Sequence, residues 1–240
     1  MKAILSLDTT SKSASISVAK GEEIQLEYNF ATRDELSVSL IPSLEFVLNN
    51  CGLKLSDIDV FGIGVGPGLF TGIRVGLATL KGLLMADPKP VVPVVTLEAL
   101  AYKYIEPEFT TVSLIDARRN QVYMAAYHFS PDHKQMEQVI PPGLLSIHEL
   151  KKRLGPQDYF NFVGSGAEVH KTFIRDNFKQ SKVCQRSFFL ASEICKIAFH
   201  NYLKKDYITD LQQLKPIYIR KPDAEQNFPQ SPNPKHPKTP

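Results

Sequence analysis

The chain reads as an α/β protein of two lobes with related topology. Three extended segments near the start lead into alternating helical and strand segments, and a second hairpin near residue 110 opens the same kind of alternation. The 240 residues are 43% hydrophobic and 22% charged, the balance of a chain that builds a packed core. A chain of this length buries roughly 70% of its unfolded surface, enough for one large domain or two small lobes.

Ala3 to Leu7 is a short apolar run, and Ser13 to Ala19 alternates Ala14, Ile16 and Val18 with Ser13, Ser15 and Ser17. Lys20-Gly21 offers a turn into a third strand, Ile24 to Phe30, completing an antiparallel meander. From Glu35, Leu36, Leu40, Leu44, Val47, Leu48 and Cys51 recur at helical spacing, Gly52 supplies the stop, and Pro42 predicts a kink. Ile58 to Val65 reads as a buried strand bounded by Pro67-Gly68. The spacing then predicts a helix from Gly72 to about Ala86, capped by Thr71, with Ile73, Leu77, Leu80 and Leu84 on one face. Val91 to Val95 is the next strand, and Thr96 caps a helix through Tyr104, giving the order βββαβαβα.

The second unit begins with a hairpin, Thr111 to Ile115 and Gln121 to Phe129, around the polar turn Asp116-Ala117-Arg118-Arg119-Asn120. A helix Ser146 to Leu154, a strand Tyr159 to Val163, a Gly164-Ser165-Gly166 turn and helices Ala167 to Phe178 and Ala191 to Lys204 follow. The expected lobes are 1–107 and 108–221. Six of the 17 prolines fall after Lys221, so 222–240 is expected to be a disordered tail.

The net charge of +3 is too small to mark a dedicated nucleic-acid binder. No apolar run reaches the 18 or so residues of a membrane helix, and Asp8-Thr9-Thr10 interrupts the N-terminus where a signal peptide stays apolar, so a cytoplasmic protein without membrane contact is expected. Three cysteines without a CxxC pair point to plain thiols rather than disulfides. None of the six histidines forms an HxxxH or HExxH pair, there is no GxSxG elbow, and neither a metal site nor a catalytic residue is assigned.

The segment from Gly62 to Gly76 is rich in glycine where a strand turns into a helix, which suits an anion at the helix start. The phosphate-loop patterns fail: the third glycine of GxGxxG falls on Leu69, and no GxxxxGK[ST] exists. Gly72 and Gly76, four apart, favour instead the close approach of another helix. Nucleotide or anion contact, if made, falls on Asp8, Thr9, Thr10, Gly66 and Gly68; the other reading of Asp8 and Thr10 is a hydrogen-bonded turn. Arg118 and Arg119 read as a solvated hairpin tip or an anion site, and Lys151-Lys152-Arg153, Lys204-Lys205 and Arg220-Lys221 as solvated ends or weak RNA contacts.

Gly66-Pro67-Gly68-Leu69-Phe70-Thr71-Gly72-Ile73-Arg74-Val75-Gly76 with Lys81-Gly82 closely resembles the TsaB family, also called YeaZ, which takes part in making threonylcarbamoyladenosine in tRNA. The likeness extends through Ile4 to Thr10, Thr96 to Ala101, Ile115 to Arg119 with Val122-Tyr123, and Pro216 to Arg220, covering about residues 2 to 221. It implies a two-lobed α/β fold of the actin, sugar-kinase and Hsp70 type (ribonuclease H-like) with mixed sheets. It also implies a non-catalytic subunit that pairs with the transferase TsaD through its first two helices, the pair recruiting the ATPase TsaE. On this resemblance Val38, Ile41, Ile73, Gly76, Leu77 and Leu80 form or flank the partner interface, which also serves a homodimer when the chain is alone. Transfer RNA is reached indirectly through the complex. No cofactor of the chain's own is implied, and ATP or ADP is left to a subunit junction.

The metal-binding histidine pair of TsaD has no counterpart here, and the family's common histidine-serine pair aligns with Leu36 and Ser37. Leu69 stands where a serine is frequent. The alternative reading is an ATP-binding phosphotransferase or ATPase of the same fold, using Asp8 and the glycine turns at 66–68 and 164–166.

Overall fold

The computed structural model describes residues 1–31, 35–130, 135–156, 159–184 and 187–220. The first lobe holds β1 (Ala3–Asp8), β2 (Ser13–Lys20), β3 (Glu23–Ala31), α1 (Leu36–Asn50), β4 (Val60–Gly64), α2 (Phe70–Leu84), β5 (Val91–Val94) and α3 (Thr96–Tyr102). The second repeats the pattern with β6 (Thr110–Asp116), β7 (Gln121–Ser130), β8 (Gln135–Ser146), α4 (Leu150–Leu154), β9 (Phe160–Val163), α5 (Ser165–Val169), α6 (Lys171–Asn177), β10 (Lys182–Cys184) and α7 (Ala191–Leu203). The sheet orders, β3-β2-β1-β4-β5 and β10-β9-β6-β7-β8, are the same order run from opposite edges. In each, three antiparallel strands continue into two parallel ones.

β1 is buried along its whole length because both faces of the central strand are covered. Leu5 and Leu7 pack with Leu40, Leu44, Ile73, Leu77 and Leu80 of α1 and α2. Ile4 points the other way, with Val60 and Val92, onto Leu190, Ile194 and Ala198 at α7. The helices that follow the fifth strands are exchanged between lobes: α7 lies on the first sheet, whereas Leu97 and Ala101 of α3 pack with Ala125 and Tyr127 of β7. Residues beyond α7 also return to the first lobe, where Ile208 bridges to Val91 and Leu214 is fully buried in the α1–α2 core. A single cut at 107 therefore does not separate the packing units, since 191–214 complete the first.

Several elements differ from the sequence reading. β8 contains Pro141-Pro142-Gly143, which reads as a break, yet β8 is an edge strand, where a missing N–H goes unneeded, and its register with β7 shifts at Met124/Ala126. The three-residue β10 carries too short a pattern to be legible. The helix expected over 167–178 breaks at His170 (φ −103°, ψ 23°) into α5 and α6. α1 runs continuously through Pro42. α2 starts at Phe70 behind an extended Leu69, and α3 starts behind Val95, so neither Thr71 nor Thr96 caps a helix. The expected tail, 222–240, lies outside the described residues.

Candidate functional site

α1 and α2 lie side by side over the first sheet, and helical phase divides each into an inner and an outer face. Ile73, Gly76, Leu77 and Leu80 all point inward; Ile73 and Leu80 are at most 1% exposed. These four residues, expected to form or flank the partner interface, cover the first sheet in the single chain, because the apolar stripe of a surface helix is the side that packs on its sheet. Val38 and Ile41 instead stand outward from α1, 68% and 47% exposed. A shallow, mainly apolar groove lined by Ile41, Leu44, Leu48, Leu53 and Leu83, together with Glu45, Asn49 and Lys54, lies along α1 and reaches α2 at Leu83. On α2 the outward residues are Thr71, Arg74, Ala78, Gly82 and Met85, and a side chain at Gly82 would meet open space. Sequence reasoning missed this face, although taking α2 half a turn out of phase from its leucines identifies it.

The other expected site, around Asp8, is closed. Asp8, Thr9 and Thr10 are at most 4% exposed, and Gly66 is buried. Asp8 Oδ1 accepts from the Thr10 N–H (3.0 Å) and hydroxyl (2.7 Å), so the hydrogen-bonded turn is the arrangement found. The Thr10 carbonyl accepts the Leu69 N–H at 2.6 Å, and the Gly66 carbonyl accepts the Thr96 N–H at 2.8 Å. Gly68 lies on the Thr10 backbone, and α2 rests on Thr9 at two points: a Cβ at Gly72 would overlap the Thr9 carbonyl, and one at Gly76 the Thr9 hydroxyl. The glycine pair thus admits the β1–β2 turn rather than another helix, and Asp8, Thr9, Thr10 and Gly66, expected to contact an anion, are packed within the fold, with Gly68 half-buried beside them. Burial pushes the Asp8 carboxyl up to about 6 despite its bonds from Thr10.

Other reactive groups are also committed within the fold. Burial pushes the Cys195 thiol up to about 12, and its Sγ donates to Ser6 Oγ (3.2 Å). Glu193, raised by burial, is paired at 3.2 Å with Lys103 between α7 and α3. Among the described residues no group of three or more His, Cys, Asp or Glu side chains is placed to hold a metal. Near the N-terminus of α2, the Arg74 guanidinium lies 3.8 Å over Phe70 and its Nε donates to Tyr218 Oη at 3.0 Å, tying the C-terminal segment to the helix.

Paired mixed sheets of identical order with exchanged helices define a two-lobed protein of the actin, sugar-kinase and Hsp70 class. The family described as TsaD, tRNA N6-adenosine threonylcarbamoyltransferase, matches residues 31–228. The chain is 28% identical to the tRNA threonylcarbamoyladenosine biosynthesis protein TsaB of Haemophilus influenzae, over 90% of this chain and 93% of that one. It is 26% identical to the Bacillus subtilis protein of the same name, over 92% and 96%. YeaZ from Pseudomonas aeruginosa has the same fold, with a TM-score of 0.74 at 23% identity, covering 91% of this chain and all of that one. The chain belongs to the TsaD family, in its TsaB (YeaZ) branch. No helix among the described residues is long and apolar enough to cross a membrane.

Proposed function

We propose that the chain is a non-catalytic subunit of the machinery that installs threonylcarbamoyl on tRNA, docking a TsaD-type transferase against the outer face of α1 and α2. The observation that carries this reading is the exposure of Val38 and Ile41 beside the apolar groove that Ile41 and Leu83 share. Burying what remains exposed of these two side chains stabilises a complex by roughly 2–3 kcal/mol. Ala78 and Gly82 keep the neighbouring helix low, so a partner helix can approach closely. The same face serves a homodimer when the chain is alone, and the assembled pair recruits the TsaE ATPase. A nucleotide, ATP or ADP, belongs at a subunit junction rather than at Asp8, whose carboxyl is turned inward. The phosphotransferase alternative loses its acidic residue on the same ground.

Mixing the chain with its TsaD-type partner should give a heterodimer by light scattering at micromolar concentration. Val38→Glu with Ile41→Glu should weaken it roughly a hundredfold while leaving the circular dichroism unchanged. A wild-type chain that stays monomeric with that partner sinks the reading.

A further inference from the structure

The turn between β6 and β7 is built from residues its backbone disfavours. Arg118, Arg119 and Asn120 have φ of +60°, +51° and +56°. Asparagine tolerates this region, but arginine carries a steric penalty there that glycine avoids, and tight hairpin turns with positive φ normally use Asn-Gly or Asp-Gly. The fold makes no use of the two guanidinium groups: both side chains are exposed, and neither has a hydrogen bond, ion pair or ring contact among the described residues.

The conformation is held from three sides. Asp116 Oδ1 accepts the Arg118 N–H at 2.9 Å, the Asn120 carbonyl accepts the Ile147 N–H at 2.9 Å, and Arg220 Nη1 donates to the Ala117 carbonyl at 3.1 Å. A strained turn persists where its surroundings over-determine it. The backbone N–H groups of Arg119 and Asn120 have no acceptor among the described residues. The Asn120–Ile147 bond also sets the turn beside the approach to α4, whose Lys151, Lys152 and Arg153 are all exposed. Of the nearby acids, Asp116 is engaged by Arg118, and Glu149 accepts the Ser146 N–H at 3.0 Å.

We propose that this turn binds the phosphate backbone of RNA directly, Arg118 and Arg119 supplying guanidinium contacts and the free amides of Arg119 and Asn120 a hydrogen-bonding seat. The basic side chains sit on an exposed hairpin tip and on α4 beside it, a layout that fits a continuous polyanion rather than one nucleotide. The assignment of RNA rests on the reading of the chain as part of a tRNA-modifying complex, and it makes this subunit a direct contact rather than an indirect one.

The test uses the full chain, a fluorescently labelled unmodified tRNA transcript, and anisotropy over a salt series. Arg118→Gly with Arg119→Gly should weaken binding about tenfold or more. It should also make the slope of log K against log salt shallower by about 1.5. The thermal midpoint should hold or rise, because glycine accepts the left-handed backbone. A charge-matched control on the first lobe, Lys20→Ser with Lys54→Ser, should keep wild-type affinity. The proposal is overturned if the wild type does not bind the transcript, if the arginine variant binds as the wild type does, or if the lysine control loses as much. It is equally overturned if calorimetry shows ATP binding lost in the arginine variant while transcript binding is retained. Heterodimer formation, read separately by light scattering, should be unaffected by the arginine variant. Its failure in the wild type strikes the docking function and leaves the RNA measurement to stand alone.

Discussion

Asp8 is a carboxyl folded into a place where its charge is unwelcome. Its folded pKa of about 6 lies above the ordinary 3.8, so the folded state holds the proton more tightly than the unfolded chain. The sign follows: a contribution of roughly 3 kcal/mol is fully present below about pH 4 and is lost as the pH rises through 6. Asp8→Asn keeps an oxygen to accept from Thr10 and removes the charge. Thermal melts on either side of pH 6 should show the variant more stable than the wild type at the higher pH, with the difference shrinking as the pH falls. A variant that melts lower at the higher pH would show that the carboxylate is held by more than Thr10.

At the scale of elements, α7 is fastened to a sheet that its place in the sequence does not suggest. Ser15 Oγ of β2 accepts the N–H of Leu190 (3.3 Å) and of Ala191 (3.1 Å), capping the helix from a strand about 175 residues earlier. The Ser6 hydroxyl donates to the Ala191 carbonyl, and Ser17 lies 3.4 Å from Ser192, so the polar half of the alternation in β2 serves the helix start. Ser15→Ala leaves two buried donors unmet and should lower stability by about 1–2 kcal/mol in urea denaturation, with faster amide exchange at the start of α7. Unchanged exchange there would show that the cap is dispensable. The serines facing Ala14, Ile16 and Val18 look solvent-facing in the sequence, because alternation alone cannot reveal that a distant helix covers the second face of the sheet.

For the whole molecule, the segment after α7 fastens the lobes. Ile208 joins the edge of the first sheet, Leu214 fills the α1–α2 core, the Ile217 N–H donates to the Val65 carbonyl at 2.8 Å, and Arg220 reaches Ala117 in the second lobe. Leu214 lies in no helix or strand, yet Leu214→Ala should cost about 2–5 kcal/mol, read as a lower urea midpoint with an unchanged slope. A change within 0.5 kcal/mol, typical of a surface site, would place the segment outside the cooperative core.

The duplicated order of strands and helices was legible in the sequence wherever a period ran long enough: the alternation of β2, the leucine stripe of α2, the glycine stop of α1. Those signals are local, set by which side of a strand or helix meets water. What only the tertiary structure decided is which neighbour each apolar or glycine face receives. Gly72 and Gly76 meet Thr9 rather than a helix, Ile73 and Leu80 meet the sheet, and α3 and α7 cross to the opposite lobes. Burial also decides that Asp8 closes a turn instead of opening a site, because the field around a carboxyl comes from residues far away in the chain.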